Sequence, residues 1–158
     1  MVPDLEGYAL IFRSTHRLFH RALEGLTDEQ ALELPEGGGN PMLWIAAHMV
    51  TIRAQYLRGL GETPDVPWME YFPRGGERRD MDQWPQLAEV RACWDEVHAA
   101  FMARIKTLDA GELAAPSALP GLEKTLLGAL GLAALHDCYH VGQLAMLRRL
   151  HGLERLVG

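Results

Sequence analysis

The sequence predicts an all-α protein, a four-helix bundle. Apolar residues recur with a helical period in four long stretches, and no stretch shows the apolar–polar alternation of a half-buried strand. Residues 61–81 form the longest break, where Pro64, Pro67, Pro73, Gly75 and Gly76 forbid regular structure. This break is long enough to run the length of a bundle. The second and third helices are therefore expected to be parallel neighbours, giving up-down-down-up order with a long crossover between helices two and three.

Asp4 is the expected N-cap of the first helix, whose apolar positions are Leu5, Tyr8, Ala9, Phe12, Phe19 and Leu23. Gly25 ends it. His16 continues the Phe12–Phe19–Leu23 face and His20 stands one step off it. Most simply this pair flanks the helix; an approach of either ring to a metal pocket is the less expected outcome. Thr27-Asp28-Glu29-Gln30 reads as a capping box for a short helical turn. After the Glu36–Gly39 loop, Asn40-Pro41 restarts the chain, asparagine capping and proline at the first helical position. The second helix, residues 41–59, turns Trp44, Ile45, His48, Ile52 and Tyr56 inward, with Arg53 and Arg58 expected to face water.

The 61–81 segment carries Trp68, Met69, Tyr71 and Phe72, four large apolar side chains that argue against disorder. A strap packed on the bundle is expected, and a lid over a pocket is the second possibility. The third helix runs from about Asp82–Pro85 to Leu108, with a stripe of Leu87, Val90, Trp94, Val97, Phe101 and Ile105. His98 flanks the stripe and Cys93 lies on its other side. Asp109-Ala110-Gly111 breaks this helix, and residues 115–121 form a second irregular connector. The fourth helix, from Lys124 or Thr125 to Leu150, turns Ala129, Leu132, Ala133, His136, His140, Gln143 and Leu147 inward.

The 158 residues are read as one domain, 1–158, with an ordinary 48% hydrophobic and 23% charged composition. A net charge of -6, with both signs interspersed, argues against nucleic acid as a partner, because phosphate binding wants a concentrated basic surface. Arg74, Arg78 and Arg79 come nearest to one, with Glu77 and Asp80 among them, and read as a solvated loop. No signal peptide is expected, and no uncharged apolar run reaches the roughly 20 residues that span a bilayer. Cys93 and Cys138 are no disulfide framework, so a cytoplasmic setting with reduced thiols is the simplest expectation.

The chemistry concentrates in His136-Asp137-Cys138-Tyr139-His140-Val141-Gly142-Gln143. On a helical wheel His136 and His140 differ by about 40° and Gln143 falls within about 20° of His136. Cys138 points the opposite way, and Asp137 lies about a quarter turn off, too far to share a ligand position. Buried imidazoles need partners, and a metal ion is a good one. His48, on the inward side of the second helix, completes an open three-histidine site with His136 and His140. Imidazole suits zinc, nickel, copper and iron. Three protein ligands leave a position for water or substrate, as in catalytic zinc sites. Gln143 is expected to orient a ligand from behind, and Trp44 and Tyr139 to line the pocket. Helical zinc proteases use His-Glu-x-x-His, whereas Asp137 follows His136 here; di-iron bundles need Glu-x-x-His, absent from this chain. No nucleophile elbow and no phosphate-binding glycine loop is recognisable.

The second-helix run Trp44-Ile45-Ala46-Ala47-His48-Met49, led by asparagine-proline, and the fourth-helix His-x-x-x-His-x-Gly-Gln resemble the DinB-like superfamily, which includes the YfiT-type metalloenzymes. The likeness covers nearly the whole chain. It implies an up-down-down-up bundle, often a homodimer, with a divalent metal, zinc or nickel, on His48, His136 and His140. It also implies a small-molecule substrate and chemistry of the thiol S-transferase or hydrolase type, with a low-molecular-weight thiol as a candidate co-substrate. The alternative is a non-catalytic stress-response or interaction protein whose metal site is structural or vestigial.

Overall fold

The computed structural model describes residues 2–75 and 80–157. Gly76, Glu77, Arg78 and Arg79 of the expected loop and basic cluster lie outside the described residues. Four long helices dominate: α1 (Glu6–Leu23), α3 (Met42–Gly59), α4 (Leu87–Thr107) and α6 (Leu126–Leu150). Two one-turn helices join them, α2 (Asp28–Leu32) and α5 (Ala110–Ala114). No strand occurs among the described residues, only an isolated bridge between Pro116 and Thr125.

Local chemistry sets most helix starts. Thr27 and Gln30 form the expected capping box of α2. Thr125 caps α6 by accepting from the Gly128 amide at 3.1 Å. The α4 start lies beyond the expected one, at Leu87 behind a Gln86–Glu89 box and a 3-10 turn at Met81–Gln83. Two expected caps are absent. Asp4 sits inside a 3-10 turn, Pro3–Leu5, that leads into α1. Pro41 occupies the N-cap position of α3, and the structure shows no side-chain cap there. Asp109 ends α4 as expected and also caps the new turn α5, through the Glu112 amide at 2.8 Å.

Helix directions follow from paired positions. Tyr8 lies by Gly131, Thr15 bonds Asp137, and Arg148 donates to the Ala22 carbonyl at 3.2 Å, so α1 and α6 run parallel. Phe12 meets Phe101 and His20 meets Asp95, so α1 and α4 are antiparallel. Arg53 reaches His98 and the Leu60 carbonyl accepts from Arg104, so α3 and α4 are parallel. His48 faces His136 while Tyr56 donates to the Pro120 carbonyl before α6, so α3 and α6 are antiparallel. The order is up-down-down-up, as expected. Each long helix packs on two others, with α3 and α6 sharing one side of the bundle.

Helix α3 is enclosed on nearly every side: only Gln55, Arg58 and Gly59 of its 18 residues are exposed. The 61–75 segment closes its outer face as a strap, burying Val66, Trp68 and Phe72. This overturns one expectation. Arg58 is exposed, but Arg53 is buried in the core. Its guanidinium lies 4.5–4.9 Å from the ring centres of Trp94, Phe12 and Phe101 and pairs with Asp137. With α4 and the strap around the helix, position 53 has no water to face. The buried face of α6 is broader than expected. Ala129, Ala133 and His140 are buried as expected, and Leu130, Ala134, Asp137, Val141, Leu144 and Arg148 add a second buried stripe packed towards α1. The histidines stand on the adjacent flank, towards α3.

Candidate metal centre

Helix α6 presents His136 and His140 one turn apart, with ring centres at 4.3 Å. Helix α3 brings His48 opposite them, 5.1 Å from His136 and 4.9 Å from His140. One ring nitrogen from each lies within 4.8 Å of the other two, an arrangement that can hold a metal ion. The sequence-expected trio therefore meets.

The outer nitrogens decide which atoms face inward. His48 Nδ1–H donates to the Phe72 carbonyl at 2.9 Å, and His140 Nδ1–H donates to Gln143 Oε1 at 2.7 Å. Both bonds leave Nε2 unprotonated, able to accept a hydrogen bond or ligate. His136 Nε2–H is placed to donate to His48 Nε2 at 3.1 Å. Burial pushes the His48 pKa down; His136 falls to about 2, by burial and then by His140 and His48, and His140 to about 4, by burial and then by His48. These rings are neutral at physiological pH, the form that binds metal.

Trp44 stacks on His48 at 4.8 Å and 13°, and Gln143 Nε2 donates to the Tyr139 hydroxyl at 3.2 Å. Trp44 and Tyr139 line the pocket, and Gln143 orients His140 rather than a ligand directly. The pocket, about 580 Å³, is open to solvent on the side of Tyr139 and Leu135, and Asn40 and Arg74 also border it. A smaller cavity of about 50 Å³ lies between Tyr56, Ile52 and Leu132 and shares His136 and Arg74 with the pocket. Cys138 is exposed and takes no part, as the wheel required.

Several contributors have no sequence signal of their own. The Phe72 carbonyl belongs to the strap, 24 residues from His48. Asp137 lies behind the histidines. It accepts from Arg53, and Thr15 Oγ1 donates to it at 3.3 Å. Its other oxygen stands 3.9 Å from His136 Nδ1, beyond hydrogen-bond range, and that buried nitrogen has no partner among the described residues. His16 and His20 do not reach this pocket. They converge with Asp95 as a separate cluster.

The fold and the convergent histidines define a helical-bundle protein with an open, histidine-lined pocket. The chain belongs to the DinB superfamily, whose family model matches residues 11–144. No curated protein sequence matches it. YfiT from Bacillus subtilis, named a "probable metal-dependent hydrolase with an unusual four-helix bundle topology", is similar at 20% identity and a TM-score of 0.73, over 98% of this chain and 91% of that one. A conserved protein from Enterococcus faecalis aligns with 16% identity and a TM-score of 0.71, over 95% and 98% of the two chains. A DinB-like protein from Bacillus cereus shares 22% identity with a TM-score of 0.67, over 96% and 93%. At these identities the likeness concerns the fold. Among the described residues no helix is long and apolar enough to cross a membrane.

Proposed function

We propose that the protein is a divalent-metal-dependent enzyme of the hydrolase or thiol S-transferase type, with Nε2 of His48, His136 and His140 as the metal ligands. The observation that carries this is the convergence of one ring nitrogen from each of His48, His136 and His140 within 4.8 Å, with the outer nitrogens of His48 and His140 already engaged. A neutral His136 can donate Nε2–H to His48 Nε2; with its proton on the partnerless Nδ1 instead, three Nε2 lone pairs converge and a shared cation holds them. The three-imidazole donor set suits zinc or nickel. When bound, the metal supplies Lewis acidity that makes a water or a thiol a stronger nucleophile near neutral pH.

The chain's own groups then divide the work. Phe72 and Gln143 hold two imidazoles in the ligating tautomer. Trp44 fixes the plane of the His48 ring. Leu132, Leu135 and Tyr139 offer apolar contact to a small-molecule substrate, and Arg74 at the rim offers a cation for an anionic group on it. Bacillus subtilis YfiT, named a "probable metal-dependent hydrolase", supports the hydrolytic branch. A homodimer fits the exposed Leu135, Tyr139, Met146 and Leu150, which follow one side of α6.

Metal analysis of purified wild-type protein and His136→Ala tests the ligand set. The variant is expected to carry one equivalent less per chain and to lose any activity found in hydrolase and thiol-conjugation panels run with zinc or nickel restored. Equal metal content in the two proteins contradicts the assignment.

A further inference from the structure

We propose a second divalent-metal site on the opposite side of the bundle, formed by His16 and His20 of α1 and Asp95 of α4, that takes a late first-row divalent cation and staples the two helices. His16 and His20 stand one turn apart and send Nε2 to the same atom: Asp95 Oδ1 lies 2.8 Å from His16 Nε2 and 2.7 Å from His20 Nε2. Three ligand atoms from two helices thus already converge, in the two-histidine, one-carboxylate combination that leaves positions open on a metal.

The plainer reading is a hydrogen-bonded cluster in which two imidazole N–H groups share one carboxylate oxygen. Three features favour a ligand. First, the His16 ring is locked in place, stacked on His98 at 4.0 Å and 19° and edge-on to His20 at 5.0 Å. The site therefore loses little side-chain freedom on binding. Second, the partners are half-buried or exposed, with side-chain exposures of 23%, 24% and 54% for His16, His20 and Asp95, so a hydrated cation can reach them. Third, a single Oδ1 serves both rings, and the carboxylate keeps its negative charge for a cation. Burial holds His16 below its ordinary pKa, which leaves it neutral and able to bind. Arg53 is the nearby cation, and Asp137 matches its charge.

On binding, each imidazole proton moves from Nε2 to Nδ1, and the ligand atoms separate by a few tenths of an ångström to reach metal–nitrogen distances of about 2.0–2.1 Å. The exposed Asp95 side chain can make that adjustment. This site is independent of the three-histidine centre, and it adds stability by binding only the folded arrangement of α1 and α4.

Calorimetric titration of Zn²⁺ into wild type, Asp95→Asn, His20→Gln, His140→Ala and the double variant His140→Ala/Asp95→Asn tests it. Asparagine keeps an oxygen that accepts the same hydrogen bonds and removes the charge, and circular dichroism checks that each variant folds. The expected result is two equivalents in wild type, with Asp95→Asn and His20→Gln each losing one site or binding Zn²⁺ there at least about tenfold more weakly. In the His140→Ala background the Asp95→Asn change removes the zinc that remains, and the zinc-induced rise in melting temperature goes with it. Zinc binding by His140→Ala that Asp95→Asn leaves unchanged overturns the proposal. That comparison holds whether or not His140 is a ligand of the first site, since both proteins lack it.

Discussion

Two histidine pairs in this protein share the same i, i+4 spacing on long helices and end in different chemistry. His136 and His140 face a third imidazole in a pocket that α3 walls on one side. His16 and His20 face a carboxylate near the surface. The first cluster has no anion among its members, and burial keeps its rings neutral, so its inward nitrogens offer lone pairs to a cation entering from the open side of the pocket. The second is already closed by Asp95, which satisfies both rings without a metal and would welcome one. Spacing alone does not distinguish them. What does is the residue supplied by the opposite helix, an imidazole in one cluster and a carboxylate in the other.

The carboxylates next to the two clusters give the largest expected contrast. Asp137 is buried and is the partner of the buried Arg53, whose pKa burial lowers to about 9 and which is still protonated at neutral pH. Asp137→Ala strands that charge and should cost about 3–5 kcal/mol of stability in denaturant unfolding, whereas Asp95→Ala should cost under about 1 kcal/mol. A double Arg53→Met/Asp137→Leu variant should recover most of the loss, because it leaves no buried charge behind. Equal costs for the two alanine variants would erase the contrast.

Gln143 sharpens the first cluster without touching its ligand atoms. Gln143→Ala removes the acceptor that holds His140 Nδ1–H, and metal affinity by competition with a chelator should fall about 10–100-fold while the fold persists. A smaller effect is expected at His98, which lies between the surface cluster and the buried Arg53: Arg53 Nη1 donates to its Nδ1 at 3.1 Å, and it stacks on His16. Burial and then Arg53 push its pKa from 6.5 to about 3. The unfolded chain therefore takes up a proton between those values that the folded chain refuses. Stability is fully present above about 6.5 and falls as pH drops towards 3. His98→Gln keeps an acceptor for Arg53 and should lose less melting temperature than wild type between pH 7.5 and 5.5.

The four helices and the meeting of His48, His136 and His140 were legible because each rests on a period along the chain. The 61–81 break indicated the parallel α3 and α4 because its length can span the bundle. Arg53 was misread for a physical reason. A charged residue on an amphipathic wheel is assigned to water, yet α3 is apolar almost all round, and such a helix is enclosed. That uniformity was the available signal. The wheel set Asp137 aside as a ligand, and its pairing with Arg53 depends on α3 and α6 lying side by side, 84 residues apart in sequence. Asp95 had no signal: it is one exposed acid on α4, and its partners lie 75 and 79 residues away. The Phe72 carbonyl was invisible for a related reason, since a main-chain oxygen carries no residue type.

Zinc-edge X-ray absorption on the Asp95→Asn protein, loaded with one equivalent of zinc, tests the three-histidine centre most directly because the surface cluster is disabled there. Three imidazole nitrogens at about 2.0–2.1 Å are expected, with the remaining coordination from oxygen. Fewer than three imidazoles around the zinc, or a spectrum unchanged by His136→Ala, would contradict it.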